Sequence, residues 1–531
     1  MLDRRALLLA GGGGMAAALP ALPASAADGP ALSPPSTGAG LANVRDFGAA
    51  GDGAAIDSPA VNRAIDYAAA RGGGVVHFPA GTYACYSIRL KSAVTLQLDP
   101  GAVILAAPTP HEGLASGGYD LAEPQGDFEP YQDYGHNHWR NSLIWGEDLH
   151  DVAIVGAGLI WGKGLSRGSQ DADLPISGRP GVGNKAIALK NCRNVLLRDF
   201  RVLQGGWFAV LATGVDNLTL DNLLIDTNRD GFDIDGCRNV RIVNCSVNSP
   251  WDDGICLKSS YGLGYPRATE NVTISGCFVT GNYQLGSMLD GTWRRMPEGF
   301  APIVHGRIKF GTESNGGFKN IAITNCAFED SGGFALETVD GALLEDVTIS
   351  NVTMRRNFNS PFFLRLGRRM RGPAGRPIGT LRRVLISNVT SYDAVPLPSI
   401  IAGIPGHPVE DIKISDVFLQ QRGGAPASMA QIQPPLAELA YPEPTMFGDL
   451  PATGLFIRDA RNIELSNVEV AVAQPDPRPA IWAQDVDGLD VFRLRAPAGP
   501  AFALSRVRGF RSFGALGRAD RGLGDVAGET F

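Results

Sequence analysis

Cysteine is scarce in this chain. Seven residues in 531, an odd number thinly spread, exclude a disulfide framework as the main source of stability. Three of them, Cys245, Cys277 and Cys326, share one position of the repeat described below. They read as small buried core residues and not as metal ligands, although parallel stacking could bring two of them within bridging range. Charge is sparse as well, at 19% of residues with a net −7. A nucleic-acid partner requires a basic face, so none is expected. A polyanionic substrate needs only a local basic patch. Hydrophobic content is 44%, too high for disorder.

Long apolar runs are missing after the first 27 residues. Residues 1–27 open MLDRRALLLAGGGG, with Arg4 and Arg5 before an apolar stretch, and close on Ala24-Ser25-Ala26. That order resembles a twin-arginine export signal. The run is short and glycine-rich, whereas a span needs about 20 apolar residues. The mature chain is therefore expected in the periplasm or outside the cell, with no membrane span. Residues 28–42 read as a flexible linker.

Glycine (67) and proline (36) are plentiful and mark many turns. A phrase recurs: NVLLRDFRV (194), NLTLDNLLI (217), NVRIVNCSV (239), NVTISGCFV (271), NIAITNCAF (320), DVTISNVTM (346), RVLISNVTS (383), DIKISDVFL (411) and NIELSNVEV (462). Apolar residues alternate, the period of a strand with one buried face. A central Asn, Asp or Gly marks a bend between two short strands. Copies recur at 22 and 23 residues where they lie closest. One such unit cannot bury its apolar face, but stacked coils can. The spacing predicts a single-stranded right-handed parallel β-helix over residues 43–500. A β-sandwich would give short strands without repeating the phrase. Residues 58–70, SPAVNRAIDYAAA, carry Val61, Ala64, Ile65 and Ala68 at helical spacing, with Ser58 as cap and Pro59 in the first turn. This helix is expected to cover the open end of the solenoid. Residues 501–531 are Gly- and Arg-rich and read as a poorly ordered tail or a cap.

Two acidic stretches carry the chemistry. Asp230 stands 13 residues after Asn217, and Asp252 stands 13 after Asn239. Equal phase on consecutive coils, about 4.8 Å apart, brings them to one face. Asp233 and Asp253 join them. Crowded carboxyls raise some pKa values and leave others ionised, as an acid–base pair for glycosidic cleavage requires. Turn residues or a calcium site are the other readings of an Asp-rich stretch. His136-x-His138 alone is too weak a pair to define a metal site, and no metal is expected.

NRDGFDIDGCRNV (228–240) with SPWDDGICLKS (249–259) resembles glycoside hydrolase family 28, the polygalacturonase family. VRDFGAAGDGAAIDS (44–58) and LQLDPGAVILAA (96–107) resemble its N-terminal region. The resemblance implies an inverting hydrolase on a right-handed β-helix, without cofactor. By position it implies Asp252 as general acid, Asp230 and Asp253 as the pair holding the nucleophilic water, and His305 as the active-site histidine. Asn228 keeps a family residue, whereas Arg229 replaces a threonine. An inserted loop of roughly 20 residues precedes His305 and carries Trp293, Arg294 and Arg295, candidates for a sugar platform with charge recognition; packing of the loop is the plainer reading of Trp293.

Arg307-Ile308-Lys309 spells a family motif one coil early. Ala335 and Glu337 stand where its Arg and Lys are expected. Either Arg307 and Lys309 serve from the neighbouring coil, or the carboxylate-binding pair is lost and Glu337 faces a neutral or differently linked sugar, since a Glu would repel a uronate. Asp233 and Lys258 complete the expected substrate contacts. The reading is a secreted glycosidase of a pectic or related polysaccharide or oligosaccharide. A polysaccharide lyase on the same fold and a non-catalytic carbohydrate-binding β-helix are the alternatives.

Overall fold

The apolar positions of the repeat point inward and stack. The structure, a computed structural model, describes residues 40–108, 118–124, 126–166, 180–227, 229–281, 283–295 and 306–531. Within them the chain coils as a right-handed parallel β-helix, each coil contributing strands to three stacked faces. One face contains the six strands that matter most here: β1 (Phe208–Thr213), β2 (Asp230–Asp235), β3 (Ile255–Ser259), β4 (Ile308–Ser314), β5 (Phe334–Thr338) and β6 (Phe362–Leu366). Each pairs in parallel with the next. Phe232, Ile255, Ile308, Phe334 and Phe362 fill the interior with no solvent exposure above 1%. Because side chains alternate, the residues between them must point outward.

The repeat's asparagines explain its bends. Asn194, Asn217, Asn239, Asn271 and Asn320 all adopt φ between +54° and +58°, a left-handed conformation that Asn tolerates better than most side chains. Each amide donates to the side chain one coil back, at 2.8 Å from Asn194 to Asp151, 2.9 Å from Asn217 to Asn194 and 3.1 Å from Asn239 to Asn217. The three repeat cysteines lie buried beside this ladder. All seven cysteines are free thiols, so the stacked positions form no bridge.

The ends close differently from the sequence reading in two details. The helix spans Ser58–Ala69 and buries Ala60, Val61, Ala64, Ile65 and Ala68 against the first coils. Ser58 lies inside it, and the cap position belongs to Asp57. Asp57 spends its carboxylate on the backbone N–H groups of Ala50 and Gly51, while Ser58 Oγ accepts from Tyr86 N. The solenoid starts at the strand Leu41–Asn43, slightly before the expected boundary. At the other end, residues 501–531 are not a loose tail. Phe502–Phe513 extends the parallel stack, and Arg521–Thr530 folds back antiparallel on it. Phe502, Phe510 and Phe531 pack together there, and Arg521 lies 4.0 Å over the Phe531 ring. Residues 1–39, including the expected signal, lie outside the described residues. No described helix is long and apolar enough to cross a membrane.

This architecture separates two kinds of substitution. Ile242→Ala should lower unfolding free energy by about 2–5 kcal/mol through a core cavity. Asn239→Ala should cost about 1 kcal/mol through its left-handed backbone, and Asn239→Gly less. Urea-denaturation midpoints measure both.

Candidate active site

The acidic stretches meet, one residue out of the expected phase. The coils run at a 22-residue offset on the preceding face, pairing Leu218 with Val240, but at 23 on the site face, pairing Phe232 with Ile255. The stretch 249–254 holds one residue more than its counterpart 227–231, and the bend absorbs it. Asp253 therefore stacks on Asp230, and Gly231 N donates to Asp253 O at 3.0 Å. Asp252 sits one place ahead, at the rim. All three still share one patch, with a carboxylate oxygen from each within 4.8 Å of the others. Asp253 N bridges the group, facing Asp230 Oδ1 at 3.2 Å and Asp252 Oδ1 at 3.1 Å.

Burial sorts the three. Asp230 and Asp253 are 3% and 1% exposed, whereas the Asp252 side chain is 27% exposed. Burial first, then the charges of Asp252 and Asp233, push the Asp230 carboxyl well above the usual carboxylate range. Asp253 is held by cations: the Arg307 guanidinium donates to it through Nε, and Lys309 Nζ stands 3.4 Å away. Two side-chain cations thus stand against Asp253. The patch is also more than a set of turn residues, because its carboxylates pair with side chains from other coils.

Lys258 and Asp233 lie on the next rungs. Lys258 Nζ is 3.3 Å from Glu313 and 4.0 Å from Asp233. Burial opposes its charge, but the carboxylates of Asp233, Glu313 and Asp230 outweigh that and raise its pKa. Glu313 is conversely held well below the ordinary range, since Lys258, His136, Arg369 and Arg371 overcome its burial. His136 Nε2 stands 3.2 Å from Asp233 Oδ2, and its ring packs 4.8 Å from Phe208. The HNHWR stretch thus supplies a buried partner for Asp233.

Glu337 corrects an expectation. It faces no sugar, because it is completely buried, 3.8 Å from Lys309 Nζ. Burial pushes its carboxyl up to about 7, against the pull of Lys309 and Arg307. Ala335 is packed with Phe363, Ile400 and Phe456 under Phe447. The reason is a strap, residues 424–454, lying across the outward side of β5, β6 and later strands. It brings Glu443 to Arg307 in a two-pronged ion pair of 2.8 and 2.6 Å, and Tyr441 Oη to Lys309 Nζ at 3.3 Å. Arg307 and Lys309 do come from the neighbouring coil, as one reading had it. They are only 1% and 2% exposed, and carboxylates of the chain itself meet them.

Three expected residues remain. Asn228 and His305 lie outside the described residues. Trp293 is half-buried in a hairpin formed by Tyr283–Leu285 and Arg294–Arg295, with its backbone N–H donating to Ser287 O at 3.1 Å. Ser287 and Met288 anchor that hairpin on Asp226, and Arg295 pairs with Glu329 at 2.6 Å. Arg229, singled out only as a replacement, is an integral part of the site. It pairs with Asp252 at 3.0 Å and lies 4.7 Å over the Trp207 ring.

Comparison with known proteins bears on the fold and on the class of protein that the chain is similar to. Residues 41–117 match the pectate lyase-like family described as rhamnogalacturonase A/epimerase, and residues 177–297 match the right-handed β-helix region. A probable polygalacturonase of Vitis vinifera is 23% identical over 335 residues, 59% of this chain and 60% of that protein. An exo-poly-α-D-galacturonosidase of Dickeya chrysanthemi is 25% identical over 249 residues, 45% of this chain and 36% of that protein. At these identities the chain is similar to polygalacturonases. It spans about three-fifths of the length of the grapevine relative and about a third of the Dickeya one. The fold of a Thermotoga maritima exopolygalacturonase superposes with a TM-score of 0.61 at 18% identity, covering 83% of this chain and 94% of that one.

Glu337 makes stability depend on pH. Its folded pKa lies above its unfolded value, so the folded state binds the extra proton. Its contribution is intact below about pH 4.5 and is lost as pH rises to about 7. Glu337→Gln removes that loss. The stability of the variant relative to the parent should rise by roughly 2.5 kcal/mol between pH 5 and pH 8, read from urea midpoints across that range. A flat difference would contradict the assignment.

Proposed function

We propose that this chain is an exported glycoside hydrolase cleaving a pectic or related glycan at the Asp230–Asp252–Asp253 cluster. The observation that carries the reading is the division of labour in that cluster. Two buried carboxyls stack on successive coils, and a third, solvent-accessible one stands at the rim. Asp252 donates its proton to the glycosidic oxygen as that oxygen's bond to the anomeric carbon breaks. A water held between Asp230 and Asp253 forms the new bond to that carbon and passes its proton to the pair. Burial and the charges of Asp252 and Asp233 make the Asp230 carboxyl hold a proton more readily than an ordinary carboxylate. A hop across the 4.8 Å cluster places it on Asp252 and frees Asp230 to act as base.

Inversion is the outcome that the resemblance to family 28 supports. The oxygen spacing favours a second reading, because retaining enzymes hold their carboxyls about 5–5.5 Å apart and inverting ones about 6.5–9.5 Å. In that reading Asp253 would attack the sugar directly. Its immobilisation by Arg307 and Lys309 suits a fixed base better than a nucleophile that must advance onto carbon.

Asp252→Asn should reduce turnover of pectic oligosaccharides by about 10²–10⁴-fold with the circular-dichroism spectrum unchanged. Unchanged turnover would remove Asp252 from the chemistry. Proton NMR of the first product should show the anomer opposite to the substrate's; the same anomer would establish retention.

A further inference from the structure

The loop after β3, residues 260–268, is pinned at both ends and carries an exposed aromatic between them. At its start the Tyr261 hydroxyl accepts from Arg376 at 2.8 Å, and Tyr261 N donates to Gln132 at 2.9 Å. Gly264 N then donates to Tyr261 O at 2.7 Å in a tight turn, where Gly264 takes a φ of +83°. At the loop's end Arg267 pairs with Asp216 at 2.5 Å, and its carbonyl accepts from Ser259 Oγ at 3.0 Å. Tyr265 lies between these points. It is 54% exposed and has neither a hydrogen-bond nor a ring partner among the described residues.

Tyr265 helps to line a cavity of about 560 Å³ whose floor follows a ladder of charge. Asp216, Arg238, Glu270, Lys319 and Glu345 pair rung to rung, so that sign alternates along the wall. The acids of this stretch are already engaged by arginines. Arg267 holds Asp216, Arg238 meets Glu270 at 2.8 Å, and Arg382 meets Glu345 at 2.9 Å. Lys319, half-buried between Glu270 and Glu345, makes no ion pair or hydrogen bond among the described residues. The lining therefore carries one more base than acid, on a chain whose net charge is −7.

We propose that this cavity is a second binding site, for acidic glycan, in which Lys319 takes a uronate carboxylate and the Tyr265 ring takes the face of the sugar. The inference rests on the pectic part of the reading above, since the polymer held here is the one that is cleaved. A lysine alone is a point charge and accepts any anion. The ring beside it favours an anion carried on a pyranose, whose C–H face packs on an aromatic while its hydroxyls stay wet. The cavity is separate from the acids. Asp252 and Asp253 precede the head of β3, and Tyr265 lies beyond its other end. The length of that strand, about 17 Å, stands between them. A polymer held at that distance is kept at high local concentration beside the acids, without touching them at this point.

The test measures retention on polymer separately from turnover. Native electrophoresis of the whole chain through gels of graded polygalacturonate content gives a dissociation constant from the loss of mobility. The parent should be retarded. Lys319→Gln should bind about twofold to fivefold more weakly, the range of an exposed ion pair, and Tyr265→Ala about twofold to tenfold more weakly, the range of a contact on an aromatic face. Lys413→Gln removes an exposed lysine outside the cavity and should bind as the parent does. Gels of neutral galactan should not distinguish Lys319→Gln from the parent. No retardation of the parent, parent-like binding by either cavity variant, an equal loss in Lys413→Gln, or an equal loss of Lys319→Gln on galactan would each overturn the proposal. Hydrolysis of trigalacturonate by the parent is scored on its own. If it is absent while the cavity variants lose retention, the glycosidase reading falls and the second site stands; if it is present while they bind as the parent does, the second site falls and the reading stands.

Discussion

Parallel registration between coils is the constraint on which everything else in this molecule depends. Once Phe232, Ile255, Ile308 and Phe334 are locked into the interior, Asp233, Cys256, Lys309 and Ala335 must project from the same wall, one rung apart. Residues 230 and 253, or 253 and 307, become neighbours without any contact specific to function. The bends have more freedom than the strands. One added residue before β3 leaves the registration of its strand pairs intact and changes only which aspartate leads, moving Asp252 to the rim.

Stacking like charges on adjacent rungs carries an electrostatic cost, which the wall offsets from within. Lys258, Arg307 and Lys309 stand among the buried acids. Where acids outnumber bases, protons make up the difference: burial raises Asp230 and Glu337, and Asp235 as well despite its hydrogen bonds from Ser260. Buried pairs of this kind contribute little net stability, because desolvation consumes much of the attraction. What they provide is fixed geometry: charged groups already aligned when a reaction redistributes charge, with no solvent to reorganise.

The solenoid was legible because its signal is periodic, and nine phrases agree on one pattern. So was the acid cluster, since both acidic stretches fall in the same part of adjacent repeats. The 23-residue step was not, because a bend can absorb a residue without disturbing the apolar alternation on either side of it. The partners of Arg307 and Lys309 were illegible for a different reason. Glu443 and Tyr441 lie more than 130 positions away, on a strap outside the repeat, and no periodicity connects them to the site. The burial of Glu337 follows from that strap. His136 was visible in the sequence, but only as half of a weak metal pair, since its partner Asp233 is 97 residues distant.

The strap and Arg229 together describe how a site can keep its chemistry while changing its means of recognition. Motif cations that are buried and met by the chain's own Glu443 and Glu337 cannot discriminate among ligands; they hold Asp253 in place. Arginine where the family that the sequence resembles has threonine puts a positive charge beside the rim acid and over an aromatic ring. Two departures that look like independent losses in the sequence, the acidic residue at 337 and the basic one at 229, are two sides of one redistribution of charge: inward cations that fix Asp253, and a partly exposed one that pairs with the rim acid.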